Sequence, residues 1–136
     1  MSNTLMAGKR GLIMVLANDK AIDWGIARAC ADAGAELAFS YQGEALKKRV
    51  GPLAEQLGSN IVLPCDVGDM DSVEALFADL EKEWGTLDFV VHAIGFSDKS
   101  ELRGRYVDTS RDNFLNTMDI SVYSFTAIAQ RAEKIM

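Results

Sequence analysis

Continuous apolar runs alternate along the chain with stretches in which apolar residues recur every three or four positions. The first run, GLIMVLA at 11–17, is unbroken, which predicts a strand covered on both faces. It is expected to span 9–17. Asn18 and Asp19 then supply turn and cap chemistry, and Ile22, Ile26, Ala29 and Cys30 recur at helical spacing, predicting a helix over 21–33 that Gly34 stops. The same alternation continues. ELAFSY at 36–41 reads as a second strand, and 44–57 as a polar amphipathic helix stopped by Gly58. A third strand over 60–63 ends at Pro64, Cys65 and Asp66. The helix at 71–84 carries Val73, Leu76, Phe77 and Leu80 on one face and closes at Gly85. LDFVVH at 87–92 is the fourth strand, a long loop covers 95–109, and a final helix runs from about Arg111 to the last residue.

Strands alternating with helices of this length imply βαβ crossovers and a parallel sheet. The expected fold is a Rossmann-type three-layer αβα arrangement, present up to its fourth strand and the helix after it, with 1–136 forming the N-terminal dinucleotide-binding part of one domain. Ligands of such sheets lie over the carboxyl ends of the strands, where the strand order reverses. Four loops meet there, at 17–21, 41–43, 65–67 and 93–96. The first opens a helix whose unpaired N–H groups suit a phosphate.

Composition narrows the partners. A net charge of −6 over 136 residues argues against non-specific binding to nucleic acid or an acidic membrane. The opening MSNTLMAGKR lacks the apolar run of a signal peptide, and no stretch approaches a membrane span. Cys30 and Cys65 form no CxxC or metal spacing, so a reduced cytoplasmic protein is expected. His92 is the only histidine, which disfavours a histidine zinc site or a Ser-His-Asp triad.

The segments AGAELAFSYQGEALKKRV (33–50), LPCDVGDMDSV (63–73), WGTLDFVVHAIGFS (84–97), LRGRYVDTSRDNF (102–114) and DISVYSFTAIA (119–129) resemble the short-chain dehydrogenase/reductase superfamily. More closely, they are similar to its bacterial NADH-dependent enoyl-[acyl-carrier-protein] reductases. The likeness runs from about Gly8 to the last residue, and LDFVVHAIGF is its most specific part. The resemblance implies an NADH or NAD cofactor held by Val15, Ala21, Ile22, Gln42, Asp66, Val67, Ala93, Ile94, Gly95 and Ile120. Gln42 stands where an acidic residue often holds the adenosine ribose. Asp66 would accept from the adenine amine, and Val67 would offer its backbone and an apolar wall. Ala93, Ile94 and Gly95 would line the nicotinamide ribose. Gly95 and Phe96, with the loop through Tyr106, would border the acyl pocket. Taken alone, Gln42 has the alternative of an exposed loop residue, Asp66 of a helix cap and Ile120 of a core residue, while His92 reads as the end of a strand rather than a catalyst.

Two departures from the family pattern stand out. In the opening turn only one of the expected small residues is kept, Gly25, expected to permit close helix–sheet packing. Branched Val15 replaces a glycine, Ala21 a serine, and Asp23 adds a negative charge to the first helical turn, partly offset by Lys20. Weakened dinucleotide binding is expected. The second departure is that the family's active-site tyrosine and lysine would lie beyond Met136. Tyr106 and Tyr123 have no lysine at a suitable helical spacing to replace them, so the chain by itself is expected to reduce enoyl substrates poorly.

The implied function is reduction of an enoyl-acyl-carrier-protein double bond in fatty-acid elongation. The implied partners are the acyl-carrier-protein-bound substrate and further copies of the chain, a homotetramer in the family. Phe114, Met118, Phe125 and Ile128 form the apolar face expected to pack against later strands or a partner subunit. The alternative is a non-catalytic nucleotide-binding module with a degenerate phosphate turn. A ketone or alcohol reductase is the third reading, and HAIGFSDKSELRGRY at 92–106 argues against it.

Overall fold

The computed structural model describes residues 3–14 and 18–136. Four parallel strands form its sheet: β1 (Arg10–Met14), β2 (Glu36–Tyr41), β3 (Val62–Pro64) and β4 (Phe89–His92), in the order β3-β2-β1-β4. Between them run α1 (Ile22–Asp32), α2 (Glu44–Gln56) and α3 (Met70–Trp84). After β4 the chain passes two short 3-10 turns, Lys99–Glu101 and Tyr106–Asp108, and enters α4 (Arg111–Met118). A π-helical turn, Asp119–Tyr123, joins α4 to α5 (Ser124–Ala132).

Side chains of β1 alternate between two cores, as the two-residue period of a strand requires. Leu12 and Met14 point to one side, with Val73, Leu76, Leu80, Ile128 and Ala132 from the α3 and α5 layer and Leu87 from the approach to β4. Ile13 points to the other, with Trp24, Ala27, Val50 and Ala54 from α1 and α2. The sheet is therefore buried on both faces, which is why its central strand reads as an unbroken apolar run. Gly11 is required by packing. A methyl group there would overlap the ring of Phe89, its neighbour on β4.

The helix stops fall where the glycines were expected. Gly34, Gly58 and Gly85 take positive φ values of 98°, 78° and 75°, which a residue with a Cβ resists. Asp69 caps α3 by accepting from the Asp71 N–H. Arg10 ties the amino-terminal edge together, pairing with Glu36 at 3.2 Å and donating to the Trp84 carbonyl at 2.7 Å.

Three expectations change. The last helix is interrupted by the π turn, and the loop at 95–109 is shaped by its two 3-10 turns. Ile22 and Ile26, expected on the buried face of α1, are 84% and 37% exposed. The helix instead turns the stripe of Trp24, Ala27 and Ala31 to the sheet, since the large indole buries the most apolar surface there. Ile128 is buried in the core, while Phe114, Met118 and Phe125 remain exposed.

Candidate functional site: a crevice between the first helix and the fourth strand

The strand order reverses at β1, because β2 and β3 extend from one side of it and β4 lies on the other. An open crevice of about 570 Å³ occupies this point, lined by Ala21, Ile22, Asp23 and Ile26 from α1 and by Val91, His92, Ala93, Ile94 and Gly95 from β4 and its loop. Two loops far apart in sequence are thus brought together. At Gly95 an added methyl group would meet open space, so the fold itself does not require a glycine there.

The second half of the edge is organised by β2 and β3. Tyr41 pairs with Pro64, and the Cys65 N–H donates to the Tyr41 carbonyl at 2.8 Å, which brings Gln42 and Asp66 to adjacent strand ends. Gln42 is exposed. One Asp66 carboxylate oxygen accepts from the Gly68 N–H at 2.9 Å, closing a local turn, so Asp69 rather than Asp66 caps the helix that follows. Ile120, in the π turn, is half-buried against the α3-side core and reaches this loop; its Cδ1 would sit 3.1 Å from a methyl group on Gly68.

Two expectations about these residues are corrected. The Val67 side chain is buried in the core and forms no wall for a ligand, so only its backbone can serve one. Gly25 does not tuck against the sheet: among the described residues, nothing lies within 4 Å of a methyl group added to it. Val15 lies outside the described residues.

The α1 terminus is the least conventional part of the crevice. Ala21 occupies the N-cap position in extended geometry and offers no side-chain cap. Asp23, only 4% exposed, accepts from the Trp24 N–H at 3.0 Å. It therefore occupies one of the donors that a helix terminus presents to an anion. Burial raises its pKa, and hydrogen bonds from the Trp24 and Asp23 backbone only partly oppose this. Sequence reading foresaw the charge, but not that the carboxylate would itself serve as the anion of the turn.

On the β4 side, burial lowers the pKa of His92, favouring the neutral ring. Its Nε2 lies 2.7 Å from the Ser124 hydroxyl, which donates its one proton to the Ile120 carbonyl at 2.6 Å. The histidine nitrogen must then carry the hydrogen of the shared contact. Phe125 packs edge-on against the ring, with centroids 5.5 Å apart. His92 is thus a strand-end residue locked by its neighbours.

Phe96 is 52% exposed, and its backbone is held by Ser121. The loop beyond it encloses a separate hollow of about 370 Å³, whose apolar lining is Leu102, Tyr106, Phe114 and Met118. Phe96 does not line it. Among the described residues no cluster of histidine, cysteine and carboxylate side chains could hold a metal ion. Among the described residues, no helix is long and apolar enough to cross a membrane.

Comparison with known proteins agrees with this fold. A family model described as enoyl-(acyl carrier protein) reductase matches residues 16–136. Enoyl-[acyl-carrier-protein] reductase [NADH] 1 of Rhizobium meliloti is 63% identical over 132 residues, covering 97% of this chain and 48% of its own. The FabI reductase of Rickettsia bellii is 49% identical over 136 residues, covering 100% of this chain and 52% of its own. Among solved structures, FabI from Candidatus Liberibacter asiaticus superposes with a TM-score of 0.96 at 55% identity, covering 98% of this chain and 52% of that one. The Anaplasma phagocytophilum reductase, solved in complex with NAD, gives 0.95 at 58% identity, covering 98% and 51%. The chain spans about half the length of the curated relatives it matches. On the match over 16–136, it belongs to the enoyl-(acyl carrier protein) reductase family.

Proposed function

We propose that the crevice between α1 and the end of β4 holds NADH, and that the chain is the dinucleotide-binding part of a Rossmann-type enoyl-[acyl-carrier-protein] reductase of fatty-acid elongation, working in the cytoplasm. The observation that carries this reading is the convergence of α1 and the β4 loop on one open crevice at the strand-order reversal. Ala93, Ile94 and Gly95 are small or recessed enough to border a sugar. Gln42 and Asp66 stand at adjacent strand ends, where an adenosine needs a ribose partner and an amine acceptor. When bound, the nicotinamide supplies the hydride for reduction of an acyl-carrier-protein-bound enoyl group. Ile120 supports the nicotinamide end, and Gly95 and Phe96 border the acyl chain. The exposed apolar stripe of Phe114, Met118, Val122 and Phe125 supports self-association into a homo-oligomer, a tetramer by family.

The phosphate end fits less well. Ala21 contributes no hydroxyl, and Asp23 takes the Trp24 N–H that a pyrophosphate would use. This favours one second reading, a nucleotide-binding module with a weakened phosphate turn and no catalysis of its own.

Titration of NADH, followed by its fluorescence, tests both. The unaltered chain is expected to bind saturably, and the double variant Val15→Gly with Ala21→Ser to bind more tightly. Absence of saturable binding in either protein would overturn the assignment of the crevice. Equal affinity in the two would refute the account of the turn.

A further inference from the structure

Three successive residues of the segment after β4, Phe96, Ser97 and Asp98, are tied to the following helix and its π turn. Asn113, Thr117 and Ser121 lie four residues apart, and they meet Asp98, Ser97 and Phe96 in reverse order. The Asp98 N–H donates to Asn113 Oδ1 at 2.9 Å. Asn113 Nδ2 and the Thr117 hydroxyl each reach the Ser97 hydroxyl at 3.1 Å. The Ser121 hydroxyl then does two things at once. It accepts from the Phe96 N–H at 2.9 Å and donates to the Phe96 carbonyl at 3.1 Å. One more turn along, Ser124 holds His92. The stripe therefore ties the chain at His92 and again at Phe96, Ser97 and Asp98.

Burial does not demand the Ser121 contacts. Phe96 is half-exposed, and water could satisfy both of its backbone groups. Just before it stands Gly95, which borders the crevice and has more conformational freedom than any other residue type. A two-point clamp immediately after a glycine removes freedom that the glycine alone would leave. The π turn makes the clamp compatible with the rest of the crevice. From adjacent positions it directs Ile120 to the Gly68 loop and Ser121 to Phe96. Single π turns of this kind recur at functional sites.

We propose that Ser121 is a positioning residue: its hydroxyl fixes Phe96, and through it Gly95, at the height above the sheet that the nicotinamide end of the dinucleotide requires. This rests on the function proposed above. Asn113 and Thr117 extend the same restraint along the loop, so the polar stripe of α4 sets the shape of one crevice wall.

Amide hydrogen exchange by NMR and NADH titration, applied to the unaltered chain, Ser121→Ala and Ser121→Thr, test it. The Phe96 amide is expected to exchange at least about tenfold faster in Ser121→Ala and to regain protection in Ser121→Thr. The Ala38 and Phe39 amides of β2 should not change. NADH affinity should fall about fivefold in Ser121→Ala and return in Ser121→Thr. Unchanged Phe96 exchange would refute the clamp, and faster exchange in β2 as well would make Ser121 a general structural residue. A lost clamp with unaltered NADH affinity would refute the positioning role. If the unaltered chain binds no NADH, the assigned function fails and the positioning role with it, while Phe96 exchange still decides the clamp.

Discussion

The two walls of the crevice are built by opposite means. The β4 wall is held by side chains from a single polar stripe, which bind His92, Phe96, Ser97 and Asp98. The α1 wall has an uncapped N-terminus, an exposed Ile22 and a buried carboxylate facing inward. The laced wall spends its polar groups on its own geometry. The open wall leaves its helix terminus without a side-chain cap, and Asp23 takes one of the backbone donors there. The contrast separates two routes to the same crevice: changes on the laced wall act through the geometry of the loop, and changes on the open wall act at the helix terminus itself.

The strongest challenge to this contrast is Asn113→Ala. Asn113 is 8% exposed and bonds to Asp98, Ser97 and Ser110. Its truncation removes the side-chain bonds to the Asp98 N–H and the Ser97 hydroxyl, and a loss of about 1–2 kcal/mol is expected in chemical denaturation. A denaturation midpoint equal to that of the unaltered chain would break the picture of a laced wall.

Asp23→Asn addresses the open wall. Removing the charge should tighten NADH binding about tenfold at neutral pH, about 1.4 kcal/mol. Burial raises the Asp23 pKa, so the buried carboxylate is destabilising above its folded pKa and the penalty disappears as pH falls through that value. The advantage of the asparagine variant should therefore shrink on acidification. A pH-independent difference would assign the effect to shape rather than charge.

Ala21→Ser repairs the missing cap. The expected gain is about 0.5–1 kcal/mol in thermal or chemical unfolding, as for an ordinary N-cap hydroxyl. A loss of stability would mean that the open terminus is held by something other than its backbone. The smallest effect concerns Cys65 beneath the β3 loop. Burial first, then the charges of Asp66 and Asp69, push its pKa up to about 11, so thiol reagents should leave it unmodified in the folded chain at neutral pH. Rapid labelling would indicate that this edge opens.

Apolar periodicity carried most of the architecture. Strand β2 spans its expected residues, and Val73, Leu76, Phe77 and Leu80 of α3 are all buried. Periodicity misled at α1, where the isoleucines and the Trp24 stripe are offset by one or two positions and both satisfy a helical repeat. Only the sheet's shape chooses between them. The π turn was hidden because its residues fit an uninterrupted helix. The Asn113, Thr117 and Ser121 stripe was hidden because polar residues on a helix ordinarily face water, and nothing local shows that a loop will return across them. Val67 shows the reverse limit: its place in the chain suggested a ligand wall, but its side chain completes the core.

The strand order also has a consequence for how the chain is made. One edge of β1 pairs with β2, which follows closely, but Gly11 on its other edge pairs with Phe89 on β4. The contact of Arg10 with Asp88 spans 78 residues. At ribosomal speeds of about 5–20 residues per second, the apolar first strand waits about 4–16 s with that edge unpaired. During this interval a nascent chain exposes GLIM beside open backbone donors and acceptors, a template for pairing with its neighbours on a polysome. Delivery of β4 is the step that closes this window, so slow translation ahead of Phe89 should raise the aggregated fraction without altering the folded protein.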